Sequence, residues 1–77
     1  MTAAKPFPHW NDGSVPPPNE MLKERKPAML TQKFIVDMGI LGIGMEWFTR
    51  SKRTDGTWYE GYWGNGPKPV RWMQLPE

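Results

Sequence analysis

The stretch "KFIVDMGILGIGMEWFTR", Lys33–Arg50, contains the only sustained apolar run of the chain. The run shows no strict alternation of apolar and polar residues, so its length and pattern favour a helix over a half-buried strand. If this helix began at Met29 and ended at Phe48, it would span roughly 30 Å, the thickness of the hydrocarbon core of a bilayer. We therefore predict a transmembrane helix over residues 29–49.

Two acidic residues in this segment make insertion into a bilayer marginal. A carboxylate near the bilayer centre costs about 2.5–3.5 kcal/mol, whereas each large apolar side chain contributes only about 0.3–0.6 kcal/mol. Lys33 lies four residues before Asp37, and Arg50 lies four residues after Glu46, so each acid has a cation on its own face of the helix. Asp37 is the more costly acid, and we expect it to contact a partner outside the helix. The helix is therefore predicted to depend on neighbouring proteins.

The glycines of the segment are spaced as Gly-x-x-Gly-x-Gly, at Gly39, Gly42 and Gly44. Dinucleotide sites have the different spacing Gly-x-Gly-x-x-Gly, and the lysine and hydroxyl pair of a phosphate-binding loop does not follow. Glycines in a membrane helix more often let a neighbouring backbone approach closely. Gly39 and Gly42 are therefore predicted to line a groove that contacts another subunit.

Length and composition exclude several classes of protein. The chain has 77 residues, no cysteine and one histidine, His9, so a disulfide scaffold, a zinc ribbon and a metal site are not expected. Neither paired carboxylates nor a nucleophile with an adjacent base can be recognised. We predict a non-catalytic protein without a cofactor. The nine prolines and eight glycines favour a mostly irregular, extended chain around the central α-helix.

Residues 1–28 form a proline-rich arm, which favours extended polyproline geometry. A short helix is expected over residues 20–26, where Asn19 could act as the N-cap. Phe7 and Trp10 would then be apolar anchors on an extended strip. We predict that both contact a partner protein.

Residues 50–77 form a basic, aromatic-rich tail in which Asp55-Gly56 is typical of a turn. Large aromatic side chains bury much surface and contribute heavily to interfaces. In a tail without contacts, these apolar side chains would be exposed to water. The predicted partner contacts at the helix end and in the tail are Trp47, Trp58, Tyr59, Tyr62, Trp63 and Trp72.

The segment "LTQKFIVDMGILGIGMEWFTRSKRTDGTWYEG" resembles the single-span AGGG-type accessory subunit of mitochondrial respiratory complex I. That family has a Leu-Thr start, a Met followed closely by a Trp-Phe pair at the helix end, and an Asp six residues before a Gly. The chain departs from the pattern by inserting Glu46 before the Trp-Phe pair. The corresponding residues here are Leu30-Thr31, Met45, Trp47-Phe48, Asp55 and Gly61.

This resemblance implies a non-catalytic accessory subunit of the mitochondrial inner membrane that acts in assembly and stability. Its partners would be other subunits and the lipid bilayer, with neither nucleic acid nor a small-molecule substrate. Complex I is the first expectation. The piece "KFIVDM" also resembles the small single-span subunits of cytochrome c oxidase, so a subunit of that complex or of ATP synthase stays open.

A second resemblance covers "YEGYWGNGPKP", which is similar to one MORN repeat, a hairpin with Asn-Gly at its turn. A single unit cannot bury its own apolar face, and such arrays need about three or more units. The resemblance implies at most a short β-hairpin near the C-terminus.

A small RNA-binding or mitochondrial ribosomal protein is the alternative from another class. Cations interleave with tryptophan and tyrosine in the tail, a mixture that suits phosphates and stacked bases. The net charge of +2 is low for such a role. The cations concerned are Arg50, Lys52, Arg53, Lys68 and Arg71.

Overall fold

The computed structural model describes residues 9–64 and 66–76 and shows a small antiparallel β-sheet. Phe7, one of the predicted partner contacts, lies outside the described residues. Two short 3-10 turns lie at Asn19–Met21 and Gly39–Leu41. The strands are β1 (Asn11–Asp12), β2 (Lys23–Lys26), β3 (Met29–Asp37), β4 (Ile43–Ser51), β5 (Tyr62–Trp63) and β6 (Arg71–Gln74).

The predicted transmembrane helix at 29–49 is wrong, and so is the fold class built around a central α-helix. This segment forms the hairpin of β3 and β4, with Met29 opposite Ser51 and Asp37 opposite Ile43. Within the described residues, no helix is long and apolar enough to cross a bilayer. The apolar run is therefore the longest strand pair of an all-β fold.

The glycines explain why the run turns back on itself. Gly39 and Gly42 have φ angles of +70° and +89°, in a region that glycine adopts far more readily than other residues. Met38 N–H donates to the Gly42 carbonyl at 2.9 Å, and Gly42 N–H donates to the Gly39 carbonyl at 2.9 Å. These bonds close the hairpin. The β-branched and aromatic residues before the turn favour a strand as well.

β3 is the central strand of the sheet, whose order is β1-β6-β3-β4-β5. The first part of β3 also pairs with β2, and its last four residues pair with β6. β5 pairs with β4, whereas β6 pairs with β3 and β1. The two C-terminal strands therefore do not form the short hairpin with each other that was expected. The expected turn at Asp55-Gly56 is confirmed, since Gly56 N–H donates to the Arg53 carbonyl at 3.0 Å.

One face of the sheet is covered and holds the core. Register places Val36 opposite Trp72 and Phe48 opposite Trp63 on this face. Phe34 makes edge-to-face contacts with Trp72 and Trp63, with ring centroids 5.2 and 5.9 Å apart. Such pairs contribute about 0.5–1.5 kcal/mol beyond their burial. An aromatic cluster therefore holds this small fold together.

The segment between β1 and β2 covers the core. Pro17 and Leu22 are buried, and Trp72 Nε1 donates to the Val15 carbonyl at 2.7 Å. Where a helix was expected over 20–26, the 3-10 turn Asn19–Met21 is followed by β2. The proline-rich segment is thus a lid on the core of its own chain.

Arg50 is the buried charged residue of this covered side. Its Nη1 donates to Asn19 Oδ1 at 2.7 Å and its Nε to the Glu60 carbonyl at 3.1 Å. Its guanidinium also lies 5.1 Å from the centroid of the Phe48 ring. Burial lowers the pKa of Arg50 from its ordinary value. Through these hydrogen bonds, Arg50 connects β4 to the lid and to the segment before β5.

Candidate docking surface

The second face of the sheet, here called the open face, carries apolar side chains that the core does not use. Side chains alternate between the two faces of a strand, so the odd-numbered residues of β3 and β4 point away from the aromatic core. Register places Ile35 opposite both Met45 and Met73. The apolar members of the open face are Met29, Ile35, Ile43, Met45, Trp47 and Met73.

Several of these side chains, and those of the adjoining turn, are largely exposed. Contiguous exposed apolar surface of this kind marks interaction sites in soluble domains. The turn between β3 and β4, here called the tip, extends the apolar surface to the end of the hairpin. The exposed fractions are 101% for Ile40, 81% for Leu41, 65% for Ile43, 56% for Met45 and 41% for Trp47.

Cations border the apolar part of the open face. The Arg25 guanidinium lies 5.8 Å from the Trp47 ring centroid, and the Lys33 ammonium lies 5.9 Å from it. Cations at this distance are attracted by the negative face of an indole. Trp47 is therefore held beside two positive charges while 41% of its surface is exposed.

Asp37 and Arg71 form an ion pair at the other end of the open face. Arg71 Nε donates to Asp37 Oδ2 at 2.8 Å, and Gly39 N–H donates to Asp37 Oδ1 at 2.9 Å. The hydrogen bond from Arg71, followed by that from Gly39, lowers the pKa of Asp37. Arg71 also lies 4.5 Å from the Trp10 ring centroid. Asp37 was expected to contact a partner outside its own segment. Its carboxylate pairs with Arg71, a cation in β6 of the same chain.

The predicted partner contacts are distributed over three places. Trp47, Asp37 and Trp10 lie at the open face or its border, and Gly39 and Gly42 form the tip. Trp63 and Trp72 are core residues, with exposed fractions of 4% and 1%. The structure therefore brings only part of the predicted set to one surface.

The remaining predicted contacts lie beside β5. Tyr59 and Tyr62 line a shallow depression of about 610 Å³ together with Arg53, whose guanidinium lies 4.4 Å from the Tyr59 ring centroid. Trp58 forms a β-bridge with Lys52, whose ammonium lies 5.5 Å from the Trp58 ring centroid. Trp58 and Tyr59 therefore each lie against a cation of their own chain.

Sequence reasoning missed four exposed apolar residues of this surface, Ile40, Leu41, Ile43 and Met45. The apolar run was interpreted as a transmembrane helix, and its large aliphatic side chains were assigned to the bilayer and not to a protein contact. A signal was present in Ile43-Gly-Met-Glu-Trp47, where large apolar residues occur at every second position, the spacing of a strand face.

The open face is suited to binding without covalent chemistry. In the described part of the chain, no three His, Asp or Glu side chains lie together as a metal site requires. The groups at the open face are apolar side chains, an indole and cations. No protein-family model, curated protein or solved structure matches the chain.

Proposed function

We propose that the protein is a non-catalytic structural subunit that binds a larger protein assembly through its open face. The observation that carries the proposal is the row of exposed apolar side chains along β4 and the tip. Folding leaves Ile43, Met45 and Trp47 exposed, although a second layer of this small chain covers the other face of the same strands. Burial of such side chains against a partner contributes about 25 cal/mol per Å² of apolar area.

The borders of the open face indicate the chemistry of the partner. Arg25 and Lys33 flank Trp47, and Lys23 and Lys26 are exposed on the neighbouring β2. An interface core is depleted in charge and has a polar rim, and complementary charges fix its orientation. The partner surface is therefore apolar at its centre and carries carboxylates on the side that meets β2.

Membership of a mitochondrial respiratory complex, with complex I as the first expectation, is a narrower form of this proposal. It rests on the sequence resemblance, whose key residues Met45 and Trp47-Phe48 lie in β4. The proposed role in assembly does not depend on a membrane-spanning helix. Location at the inner membrane stays a prediction.

A photo-crosslinking experiment tests the proposal. A photoreactive phenylalanine derivative is introduced at Met45, on the open face, or at Val15, which is exposed on the lid. Crosslinking in cells should give a discrete adduct with another protein from position 45 and none from position 15. An adduct of twice the mass of the chain contains a second copy and does not count as a partner. The adduct with the other protein should be lost when Arg25→Glu and Lys33→Glu are added, because these changes reverse the charge beside Trp47 at the border of the open face.

Native gel separation then identifies the class of assembly. Co-migration of the 45-adduct with a large protein complex supports the structural-subunit proposal. Crosslinks from both positions at similar yield would contradict it, because binding would not be confined to the open face. Co-migration with ribosomes, with RNA crosslinked at position 45, would instead favour the RNA-binding alternative, in which Trp47 stacks on a base between two cations.

A further inference from the structure

The outer edge of β4 carries backbone groups that point away from the sheet. In an antiparallel pair, hydrogen-bonded and non-hydrogen-bonded residue pairs alternate. Met38 N–H donates to the Gly42 carbonyl, so even-numbered residues of β4 form their backbone bonds with β3. The backbone N–H and C=O groups of the odd-numbered residues therefore point outward, to the side of β4 opposite β3.

Part of this outer edge is used within the chain. The Trp47 carbonyl accepts from Gly64 N–H at 2.9 Å, and Trp47 N–H donates to Glu46 Oε1 at 3.1 Å. Pairing with β5 begins only beyond this point, at Phe48. Within residues 9–64 and 66–76, no group bonds to the outward N–H and C=O of Ile43 and Met45. The unused edge therefore contains two donors and two acceptors.

The edges formed by β1, β2 and β5 are less suited to strand addition. β2 has the sequence Lys-Glu-Arg-Lys, is exposed at all four residues and contains an irregularity between Glu24 and Lys26. Charges and bulges of this kind prevent edge-to-edge pairing. β1 and β5 have two residues each. The segment Ile43–Met45 has neither a charge nor a proline, so it is open to another strand.

We propose that Ile43–Met45 pairs with the same segment of a second copy of this chain, antiparallel about a two-fold axis at Gly44. Ile43 then lies opposite Met45 of the partner subunit, and Met45 lies opposite Ile43 of the partner subunit. Each chain donates two hydrogen bonds and accepts two. In this register, every outward N–H and C=O of the unused edge forms a hydrogen bond with the second copy.

The side chains of the segment are compatible with this pairing. The axis passes through a non-hydrogen-bonded pair, in which the two Cα atoms approach to about 4.5 Å. Glycine occupies this position, and among the described residues nothing lies within 4 Å of a Cβ added to Gly44. Ile43 and Met45 of both copies form an apolar cluster on the open face. A self-complementary segment of this kind favours a second copy over an unrelated strand.

This inference is independent of the proposed function, since it uses the backbone edge of β4, whereas the proposed function uses the open face. Two open faces would lie side by side in the dimer and form one wider surface. Dimerisation and partner binding can therefore fail separately, and different variants test them.

Analytical ultracentrifugation of the full chain, from low micromolar to submillimolar concentration, tests the dimer. Wild-type protein should form a dimer as its concentration rises. Met45→Pro removes one outward N–H at an edge position where proline is tolerated, and it should weaken the dimer about tenfold or more. Met45→Leu keeps the N–H and the apolar volume, so its dissociation constant should stay within about threefold of wild type.

Amide hydrogen exchange of the wild-type chain provides a test that requires no variant. The N–H groups of Ile43 and Met45 should exchange slowly at high protein concentration and quickly on dilution. The N–H of Gly44 points toward β3 and should be protected at both concentrations. A chain that stays monomeric over the whole range, or a dimer in which these two amides exchange at a concentration-independent rate, overturns the proposal.

Discussion

The two faces of the β3–β4 hairpin have similar apolar content but different roles. On the covered face, Phe34, Val36 and Phe48 are at most 2% exposed and pack with two tryptophans from β5 and β6. On the open face, Met45 and Trp47 are 56% and 41% exposed. The difference arises because the lid and the C-terminal aromatics cover only one side of the sheet. Apolar character alone therefore does not distinguish a core residue from a binding residue.

The largest expected effect comes from truncating neighbouring residues on opposite faces of β4. Phe48→Ala removes a buried ring that contacts Trp63 at a centroid distance of 5.0 Å, and such truncations cost about 3–5 kcal/mol of unfolding free energy. Trp47→Ala removes a larger but half-exposed ring and should cost less than about 1 kcal/mol. Urea denaturation followed by circular dichroism measures both values. Comparable losses from the two variants would mean that the open face is part of the core.

Gly61, which lies against the covered face, and Gly42, in the tip, allow the two regions to be compared by substitution. Gly61 and Gly42 both have positive φ angles, +94° and +89°, so alanine is strained at either position. A Cβ at Gly61 would lie 2.5 Å from Phe48 Cζ, whereas nothing in the described chain lies within 4 Å of one at Gly42. Gly61→Ala should therefore destabilise the fold more than Gly42→Ala, by about 1–3 kcal/mol for the added overpacking.

Thermal unfolding of the two glycine variants, measured side by side, gives the difference directly. Both variants place alanine at a positive φ angle, so the contact with Phe48 is the feature that only Gly61→Ala adds. Equal stabilities would show that the ring of Phe48 can move aside without cost, and the covered face would then be less tightly packed than its burial indicates.

The outcome for the apolar run shows which part of this fold can be predicted from sequence. A short apolar stretch is compatible with a buried helix or with strands that are apolar on both faces. The decisive information is in Gly39 and Gly42, whose positive φ angles close a hairpin. In a helix the same residues would have been contact points for a neighbour. The turn at Asp55-Gly56 could be predicted because its signal is local.

The candidate surface could be predicted only in part, because it depends on contacts between distant segments. Trp72 was predicted to contact a partner, yet its indole N–H bonds to the Val15 carbonyl, 57 positions away in the chain. Trp47 was predicted as a partner contact at the end of a helix; it lies in β4 and is 41% exposed, and its contact with a partner stays a prediction. Aromatic content indicated that large surfaces would be buried. It could not indicate which of them would be buried within the chain.

A smaller effect is expected from pH, through the ion pair at the border of the open face. The hydrogen bond from Arg71 lowers the pKa of Asp37 below its unfolded value of 3.8, so the pair contributes stability above that value. This contribution is lost as the pH falls through the lower, folded pKa. Asp37→Asn and Arg71→Gln should each reduce the acid-dependent part of the unfolding free energy, measured by denaturation between neutral pH and about pH 2.

The double variant serves as the control for this prediction. If Arg71 acts through Asp37, the double variant should reduce the acid dependence no further than Asp37→Asn alone, and Arg71→Gln should reduce it less because the hydrogen bond from Gly39 remains. Additive reductions would show that each residue acts through a different group. Asp12 and Asp55, whose pKa values are lowered by hydrogen bonds from Ser14 and Thr57, should leave a residual acid dependence in every variant.

The smallest effect on stability is expected from Met45→Thr, on the open face. The side chain of Met45 is more than half exposed, and threonine suits a strand, so the unfolding free energy should change by no more than about 0.5 kcal/mol. Binding of a dye specific for apolar surfaces should nevertheless fall, because a central member of the open face has become polar. Phe48→Ala should behave in the opposite way, with lower stability and increased dye binding. A large loss of stability in Met45→Thr would contradict the distinction between the two faces, since it would show that Met45 contributes to folding as the covered residues do.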